Sequence, residues 1–534
     1  MTPPESLLAF IEERSARDPH APLIVEADGD TYSYGDAARL VHEWIAWFAQ
    51  QRAVRPLRVG AILPNTAVTH LLRLAAAYAG VVFTSLNPML SGKALMDALA
   101  RSQVTDIVLP RRRDGCPVDA NAVLSGRRDE FALHWCEAEH IEFVTAVVDP
   151  EAGPVPPPVR PCHTLVYTSG TSGPAKPVRL PAELMVTYGR LLFGDDVQHW
   201  QDGGYYSPWH PAHVLGAVAL EAAVQRGLSL VLRERFDLEA FWTDVVEHNC
   251  HLTVLISVAD SVWSNRDKAP AANPLDVVGV SPALRDYRSF EDCFGVKVVN
   301  IYGMTELGTV LTSSPKGDRT LTGRPSRHYL CRIAPFEDTP IDIYSRPLTK
   351  EHRVGELIVR PLGVTSSYEP GVDPTSSWRD GWFHTGDLFI ESGGEYRFVG
   401  RVKDSIRRNG RNISAQDLED EVRLLPGVDQ CVCVGYCDAG TVEEASRDDE
   451  IRLFVVPETP GRLNAESLVA SLRERLSLYM LPRYVDIVSD LPRTDNGKLS
   501  RHTLRQMPLT PETFDRKADR RLGALSSSGR VRTG

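Results

Sequence analysis

The sequence predicts an α/β protein with a large N-terminal domain and a small α+β domain at the C-terminal end. Its 534 residues are too many for one ordinary hydrophobic core, so two or more domains are expected. Short apolar segments alternate with helical patterns as far as about Asn300, which is typical of a largely parallel sheet. Short strands and turns dominate from about Leu330 to Phe398, and a separate set of helices and strands follows.

The N-terminal elements can be located from their patterns. Thr2 and Glu5 have the spacing of a capping box, and apolar residues follow at helical spacing. The segment PLIVEADGDTYSY predicts a hairpin that turns at Asp28 and Gly29. Strands are then predicted at GAILP, VVFTSLNP and TDIVLP, with helices through Leu74 and near Leu95. This order of strand, helix and strand favours parallel pairing.

The C-terminal part begins at a predicted boundary between Gly400 and Asp404. Beyond it the patterns predict a helix at 415–424, strands at CVCVGY and IRLFVVP, a helix at 465–476 and a strand at YVDIV. The predicted domains are therefore residues 1–400 and 404–505, and residues 506–534 are predicted to be a disordered tail.

Composition excludes several classes of protein. The net charge of −11 argues against a general nucleic-acid binder. Nine cysteines do not make a disulfide framework at this length, and Cys431, Cys433 and Cys437 lack the spacing of a metal site. The longest apolar stretch, 71–83, is interrupted by Arg73 and is too short to span a bilayer. With no signal peptide visible, the sequence predicts a cytoplasmic protein without a membrane span.

The segment VYTSGTSGPAKPV, at 166–178, places hydroxyl side chains, glycines and one lysine directly after an apolar strand. Glycines allow backbone N–H groups to converge on an anion, and hydroxyls and Lys176 add further donors. This is the chemistry of a triphosphate cradle, although GxxxxGK[ST] is absent. By itself the segment also fits a plain turn.

Four further segments carry candidate residues, each with a plain structural alternative. In IYGMTELG, Glu306 follows an apolar strand where α/β ligand sites gather, and it suits Mg²⁺, but it also fits a strand-to-loop junction with an acid at a helix start. In GWFHTGDL, Asp387 has the right chemistry for two ribose hydroxyls, but it also fits an Asp turn. FVGRVKDSIRRNGRNIS fits a charged surface hairpin, and Lys498 in LPRTDNGKLSR fits a solvated lysine.

These five segments, in this order, resemble the adenylate-forming (ANL) superfamily, which contains acyl-CoA synthetases, peptide-synthetase adenylation domains and luciferases. The resemblance covers residues 1 to about 505 and is closest to CoA ligases of the crotonobetaine and medium-chain or aromatic acid type. It implies a multi-layer N-terminal domain, with two α/β subdomains and a small β-barrel, and a mobile C-terminal lid.

The resemblance also implies roles for individual residues. Tyr302, with Gly303 beside it, would contact adenine, Thr305 would contact the α-phosphate, and Glu306 would bind Mg²⁺. Lys498 would bridge the substrate carboxylate and the α-phosphate. The remaining roles are the β- and γ-phosphates of ATP (Thr168, Ser169, Gly170, Thr171, Ser172, Gly173 and Lys176), the ribose (Asp387 and Arg401), the hinge (Lys403) and the pantetheine tunnel of CoA (Gly410).

The chain departs from the family pattern at three places. The stretch that flanks the adenine, often Gly-Gly-Ala-Pro in the family, reads Val278-Gly279-Val280-Ser281 here, as in ligases of the crotonobetaine type. The family loop usually ends Gly-x-Pro-Lys-Gly, whereas here Ala175 precedes Lys176 and Pro177 follows it. A lysine common near the C-terminus is replaced in the run Met480-Leu481-Pro482-Arg483, which bears on CoA binding. In SPWHPAHVLG, His213 is the candidate that faces the acyl pocket, His210 competes for that role, and a packed histidine is the alternative.

The predicted function is an AMP-forming acid–CoA ligase that uses ATP, Mg²⁺ and CoA on a small carboxylic acid. Two alternatives stay open: a stand-alone adenylating enzyme that passes the acyl group to a carrier protein or other acceptor, and a non-catalytic nucleotide-binding protein. The sequence does not identify the acid, and a homodimer stays open as an oligomeric state.

Overall fold

The structure is a computed structural model. It describes residues 6–54, 56–90, 92–110, 131–137, 140–142, 163–168, 175–284, 286–335, 341–342, 352–372, 377–408, 411–436, 449–493 and 499–518. The contacts within it divide the chain into two compact units: Met1–Tyr329 with Pro361–Pro374, and Leu330–Arg360 with Thr375–Gly534.

Two large sheets form the frame of the first unit. The nine-stranded sheet is parallel through its centre and antiparallel at both ends. Its strands, in spatial order, are Arg324–Pro325, Gly308–Thr312, Lys297–Met304, Val277–Ser281, Cys250–Ile256, Gly204–Ser207, Ser229–Leu232, Pro22–Glu26 and Thr31–Ser33.

The eight-stranded sheet has the same plan, with four parallel pairings between antiparallel edges. Its strands, in spatial order, are Ser367–Tyr368, Pro177–Pro181, His163–Tyr167, Val82–Ser85, Arg58–Ala61, Asp106–Pro110, Ala132–Glu137 and His140–Glu142. Parallel centres with covered faces explain why these strands read as short apolar runs rather than alternating ones.

Helices connect the strands of both sheets. Those of the first unit are Leu7–Arg17, Tyr34–Val54, Ala67–Ala79, Gly92–Arg101, Ala182–Leu191, Val214–Ala217, Ala219–Gln225, Leu238–Glu247, Ala259–Ser264 and Tyr287–Phe294, with a 3₁₀ turn at Arg266–Lys268.

The helix Ala67–Ala79 lies at the centre of the first unit. Most of its side chains are buried, and it shares one hydrophobic core with strands of both sheets. A helix that is apolar on all faces has to be enclosed by other elements. Its one buried cation, Arg73, donates from Nη2 to Glu221 Oε1 at 2.7 Å on the helix Ala219–Gln225.

The second unit contains three smaller sheets. One is formed by Tyr329–Ala334, Arg353–Pro361, Trp382–Ser392, Trp378–Arg379 and Glu395–Arg401, another by Ile341–Asp342, Arg411–Ile413 and Ile406–Arg408, and the last by Val428–Tyr436, Glu450–Pro457, Tyr484–Ile487 and Phe514–Asp515. The helices are Ala415–Val422, Ala465–Arg475 and Arg501–Gln506, with 3₁₀ turns at Val402–Asp404 and Leu478–Met480.

The last of these sheets packs on two helices to form the predicted α+β module. Its core joins Leu418 and Leu472 of the helices to Leu453 of the sheet, and Ile406 belongs to the same core. The predicted class, α/β with a smaller C-terminal part, is confirmed. The boundary at 400–404 stays a prediction.

Most predicted elements are present; the capping box stays untested, and the predicted disorder of the tail is wrong in part. The first helix begins at Leu7, where the Ser6 side chain accepts from the Ala9 N–H; the proposed capping box lies outside the described residues. The predicted tail is folded as far as residue 518. The cause is the buried Arg452, which donates to the carbonyls of Met507 and Pro508, and the strand Phe514–Asp515, which pairs with Tyr484–Ile487.

Within the described residues, no helix combines the length and apolar character needed to cross a bilayer. No group of three or more His, Cys, Asp or Glu side chains in the same residues could hold a metal ion. Cys431 and Cys433 lie buried in the strand Val428–Tyr436, as the strand interpretation predicts.

Candidate active site

The glycine-rich loop is the connection of an antiparallel hairpin. The strand His163–Tyr167 precedes it and the strand Pro177–Pro181 follows it, with Tyr167 opposite Pro177. At its base, the Thr168 N–H donates to the Lys176 carbonyl, and the Lys176 N–H donates to Thr168 Oγ1, both at 3.0 Å. These two bonds close the loop and fix the position of the Lys176 backbone at its end. Ser169, Gly170, Thr171, Ser172 and Gly173 lie outside the described residues, so their roles stay predictions.

Pro177 belongs to the strand rather than to the loop. Its carbonyl accepts from the Glu369 N–H at 3.0 Å, so the backbone at this position faces the short strand Ser367–Tyr368. The N–H and C=O of one residue point to the same side of an antiparallel strand. The N–H that proline lacks is therefore lost from the edge pairing and not from the phosphate-binding loop.

Glu306 lies in the tight turn between the strands Lys297–Met304 and Gly308–Thr312. The Leu307 N–H donates to the Met304 carbonyl at 3.1 Å, and Thr305 is half-buried in the same turn. A Cβ atom at Gly303 would lie 2.0 Å from the Gly308 carbonyl oxygen, so this pair of strands requires glycine there. Tyr302 lies opposite Leu311 on the paired strand, three residues before Thr305.

Three hydroxyl groups hold Glu306 in place. Tyr188 Oη and Ser366 Oγ donate to its backbone carbonyl at 2.8 and 2.6 Å. Tyr368 Oη donates to its carboxylate oxygen Oε1 at 2.7 Å. Sequence reasoning missed all three residues, because their partner lies far away along the chain and no local pattern marks the contact.

Lys176 and Glu306 are brought to the same place by Tyr368. The ammonium Nζ of Lys176 lies 5.3 Å from the centre of the Tyr368 ring, within the range of a cation–π contact. Burial raises the pKa of the Glu306 carboxyl, while the Tyr368 hydrogen bond and the charge of Lys176 act in the opposite direction. Two of the predicted phosphate and metal residues are thus neighbours.

The histidines of SPWHPAHVLG have different surroundings. His210 Nε2 donates to the Leu63 carbonyl at 2.8 Å, and its Nδ1 accepts from the Ala212 N–H at 3.0 Å. With both ring nitrogens bonded to backbone, His210 is a structural histidine. His213 precedes the short helix Val214–Ala217, and its N–H donates to the His210 carbonyl at 2.9 Å. The role of His213 at an acyl pocket stays a prediction.

Acid should destabilise the protein through its buried histidines. Burial lowers the pKa of His210 to about 4, and it lowers the pKa of His163 to about 4 as well. Below about pH 6.5 these two histidines bind protons in the unfolded chain but not in the folded protein. The free energy of unfolding therefore falls as the pH is lowered from about 6.5 to 4. In urea titrations at several pH values, His210→Gln should reduce the slope of unfolding free energy against pH by an amount equivalent to at most about one bound proton. An unchanged slope in that variant would contradict the prediction.

In the second unit, Asp387 and Arg401 lie opposite each other on the antiparallel strands Trp382–Ser392 and Glu395–Arg401. Arg401 Nε and Asp387 Oδ1 are 3.4 Å apart. The part of the strand before Asp387, where its register with Arg353–Pro361 shifts, is held by Glu356, which accepts from the Gly386 N–H at 2.9 Å and from His384 Nδ1 at 2.9 Å. Glu356 was missed, although the segment VGELIVRP around it was part of the resemblance.

The predicted hinge, Lys403, lies in the 3₁₀ turn Val402–Asp404. Burial lowers the pKa of Lys403, and the neighbouring Arg401 adds to that effect. Asp404 in the same turn accepts from Arg505 Nη2 at 2.9 Å, and Arg501 Nε lies 3.6 Å from its other oxygen. The turn is therefore tied to the helix Arg501–Gln506.

Lys498 and Gly410 lie outside the described residues, and their roles stay predictions. The segment that carries Lys498 is nevertheless closed at its base: Arg493 and Leu499 form an antiparallel bridge, and the Ser500 N–H donates to the Pro492 carbonyl at 2.8 Å. Just beyond, Arg501 makes a two-pronged ion pair with Glu419 and donates to the Cys433 carbonyl at 2.7 Å.

The chain is similar to known CoA ligases. A sulfoacetate–CoA ligase from Cupriavidus necator is 27% identical over 511 residues, covering 93% of this chain and 97% of that protein. A crotonobetaine/carnitine–CoA ligase from Escherichia coli is 27% identical over 361 residues, covering 64% of this chain and 66% of that protein.

Solved structures share the fold. The o-succinylbenzoate CoA synthetase of Bacillus subtilis, in complex with its acyl-adenylate intermediate, superposes with a TM-score of 0.73 at 20% identity, covering 93% of this chain and 98% of that one. ATP-bound MatB from Rhodopseudomonas palustris superposes with a TM-score of 0.75 at 20% identity, covering 94% and 98%.

Family models match both parts of the chain. The model for the AMP-binding enzyme matches residues 11–369, and the model for the AMP-binding enzyme C-terminal domain matches residues 417–498. The first match includes the phosphate-loop hairpin and the Glu306 turn, the second ends at Lys498, and Asp387, Arg401 and Lys403 lie between the two. The chain therefore belongs to the family of AMP-binding enzymes.

Proposed function

We propose that the protein is an AMP-forming acid–CoA ligase. In the first step a carboxylate oxygen attacks the α-phosphorus of ATP, the bond to the β-phosphate oxygen breaks, and acyl-AMP and pyrophosphate form. In the second step the CoA thiol attacks the acyl carbon and displaces AMP. The proposal rests on the observation that Lys176 and Glu306 both contact Tyr368, next to the backbone bond between Thr168 and Lys176 that closes the glycine-rich loop.

The positions of Lys176 and Glu306 suit the charges that develop in the first step. Two anions approach each other, and negative charge grows on pyrophosphate as it leaves. Lys176 is assigned to the β- and γ-phosphates, together with the hydroxyls and backbone N–H groups of the loop. Lys498 is assigned to the reacting carboxylate and the α-phosphate, and Thr305 to the α-phosphate.

The residues present fit a magnesium ion. Mg²⁺ in nucleotide sites uses one or two carboxylates, substrate phosphates and several waters rather than a cage of protein ligands. Glu306 supplies one partly desolvated carboxylate next to Lys176, and its backbone is fixed by two hydroxyls. When bound, Mg²⁺ would neutralise phosphate charge. Glu306 would hold it.

Asp387 is assigned to the ribose hydroxyls, with Arg401 beside it. Asp387 is nearly buried, Glu356 binds the backbone N–H of the residue before it, and Arg401 Nε lies 3.4 Å from its Oδ1. A carboxylate can accept both hydroxyl protons of a ribose. Lys403 is assigned to the hinge, and Gly410 to the pantetheine path.

A second candidate is an adenylating enzyme that passes the acyl group to a carrier protein or another acceptor. The observation that favours it is the burial of Met480, which stands in the run where the family resemblance implies a lysine. A buried thioether offers no charge to the phosphates of CoA. A cytoplasmic location and a homodimer stay predictions, the first supported by the use of ATP and CoA.

The proposed function predicts acid-dependent exchange of pyrophosphate into ATP. The test is a panel of carboxylic acids that includes sulfoacetate, crotonobetaine, carnitine and o-succinylbenzoate, assayed with Mg²⁺ and again with EDTA. We expect exchange with at least one acid, and its loss with EDTA. With CoA added, mass spectrometry should show acyl-CoA and AMP. Lasting acyl-AMP without acyl-CoA would favour the second candidate, and ATP binding without exchange for any acid would overturn both.

A further inference from the structure

We propose that Tyr368 is a positioning residue for the adenylation step, with its hydroxyl fixing the carboxylate of Glu306 and its ring holding the ammonium of Lys176. The inference rests on the proposed function and adds a residue to which the sequence motifs assign no role. Tyr368 would not touch the reacting atoms. It would act by orienting Lys176 and Glu306, the side chains assigned to the phosphates and to the metal.

The first support is that the three hydroxyls around Glu306 bind different groups of that residue. Tyr188 and Ser366 bind its backbone carbonyl, so they fix the turn. Tyr368 binds carboxylate oxygen Oε1 at 2.7 Å, so it fixes the end of the side chain. A hydrogen bond to a metal-binding carboxylate selects one of its orientations before the metal arrives.

The second support is the anchoring of Tyr368 itself. Its backbone pairs with Val178, two residues after Lys176, in the strand that leaves the phosphate loop. The next residue, Glu369, is almost fully buried and forms ion pairs with Arg58 and Arg179. The phenol ring therefore belongs to a well-anchored edge strand. The centre of the ring lies 5.3 Å from Lys176 Nζ, and its hydroxyl donates to Glu306.

A purely structural tyrosine is the competing explanation, since the ring also packs against the apolar cluster of Val178 and Tyr188. The two explanations differ in what the hydroxyl does. Tyr368→Phe keeps the ring, its packing and its backbone pairing, and removes only the bond to the carboxylate. Tyr188→Phe is the matched comparison, because it removes a hydroxyl bound to the same residue at the backbone.

The decisive measurement is Mn²⁺ binding by electron paramagnetic resonance in the presence of α,β-methylene-ATP, with thermal unfolding followed in parallel. We expect Tyr368→Phe to weaken Mn²⁺ binding about 10- to 100-fold, the usual loss for a partner of a metal ligand, with little change in the unfolding temperature. Tyr188→Phe should lower the unfolding temperature and shift Mn²⁺ binding far less. The half-saturating Mg²⁺ concentration for pyrophosphate exchange should follow the same order.

Equal Mn²⁺ affinity in Tyr368→Phe and the unaltered protein would overturn the proposal. So would an equal loss in both variants, since the turn as a whole would then be responsible. Failure of the proposed function gives a different pattern: the unaltered protein would bind Mn²⁺ with the ATP analogue but exchange no pyrophosphate with any acid. Tyr368→Leu adds a test of the ring, and it should also weaken binding of the analogue measured without metal, because Lys176 loses its support.

Discussion

Lys498→Ala is expected to lower acid-dependent pyrophosphate exchange by about 10²- to 10³-fold. The reacting carboxylate and the α-phosphate are both anions, and a cation between them stabilises the charge that accumulates as the new bond forms. Without it, that stabilisation is lost in the transition state while most of the ATP contacts remain. The measurement is exchange at saturating ATP and acid, together with ATP binding by calorimetry, which should change much less.

Two controls make this expectation specific. Lys517→Ala removes another lysine of the same unit, one that pairs with Glu450 on the surface, and it should leave exchange unchanged. Lys498→Ala should also still convert chemically prepared acyl-AMP and CoA into acyl-CoA, because that step needs no cation at the α-phosphate of ATP. Loss of both half-reactions would indicate a general structural defect, and undiminished exchange would remove Lys498 from the proposed reaction.

Breaking the buried ion pair of Arg73 and Glu221 is expected to cost about 3–5 kcal/mol of unfolding free energy. Both side chains are almost completely buried, and their charged groups meet at 2.7 Å between two helices. Within the described residues, Arg73 Nε and Glu221 Oε2 have no hydrogen-bond partner, so the pair is only partly satisfied. Removing one partner leaves an uncompensated charge in an apolar core.

Urea unfolding of Arg73→Met, Glu221→Leu and the double variant tests this. Each single variant should be strongly destabilised, whereas the double variant should be less destabilised than the sum, because no lone charge remains. Single variants within about 1 kcal/mol of the unaltered protein would show that water reaches the site.

The sequence was sufficient for features set by neighbours along the chain. The hairpin at Asp28, the strand before the phosphate loop and the helices around Leu74 and Leu95 are all where periodicity and turn residues predicted them. These elements depend on local pattern and on which face is buried.

Contacts across long sequence separations could not be predicted in this way. Arg73 interrupts an apolar stretch, but its partner Glu221 is identified only once the two helices pack. Tyr368 stands in a polar segment that reads as a loop, and its importance depends on two residues, Lys176 and Glu306, that the fold brings to it. The same holds for residues 507–518 of the predicted tail, where the carbonyls of Met507 and Pro508 accept hydrogen bonds from the buried Arg452.

The bridge between Arg493 and Leu499 has a mechanical consequence for the residues on either side of it. The Ser500 N–H is bound to the Pro492 carbonyl, and Arg501 is bound through two nitrogens to Glu419 of the helix Ala415–Val422. A displacement of these residues would therefore carry that helix with them. If the proposed acyl transfer requires such a displacement, its speed would set an upper limit on the turnover rate.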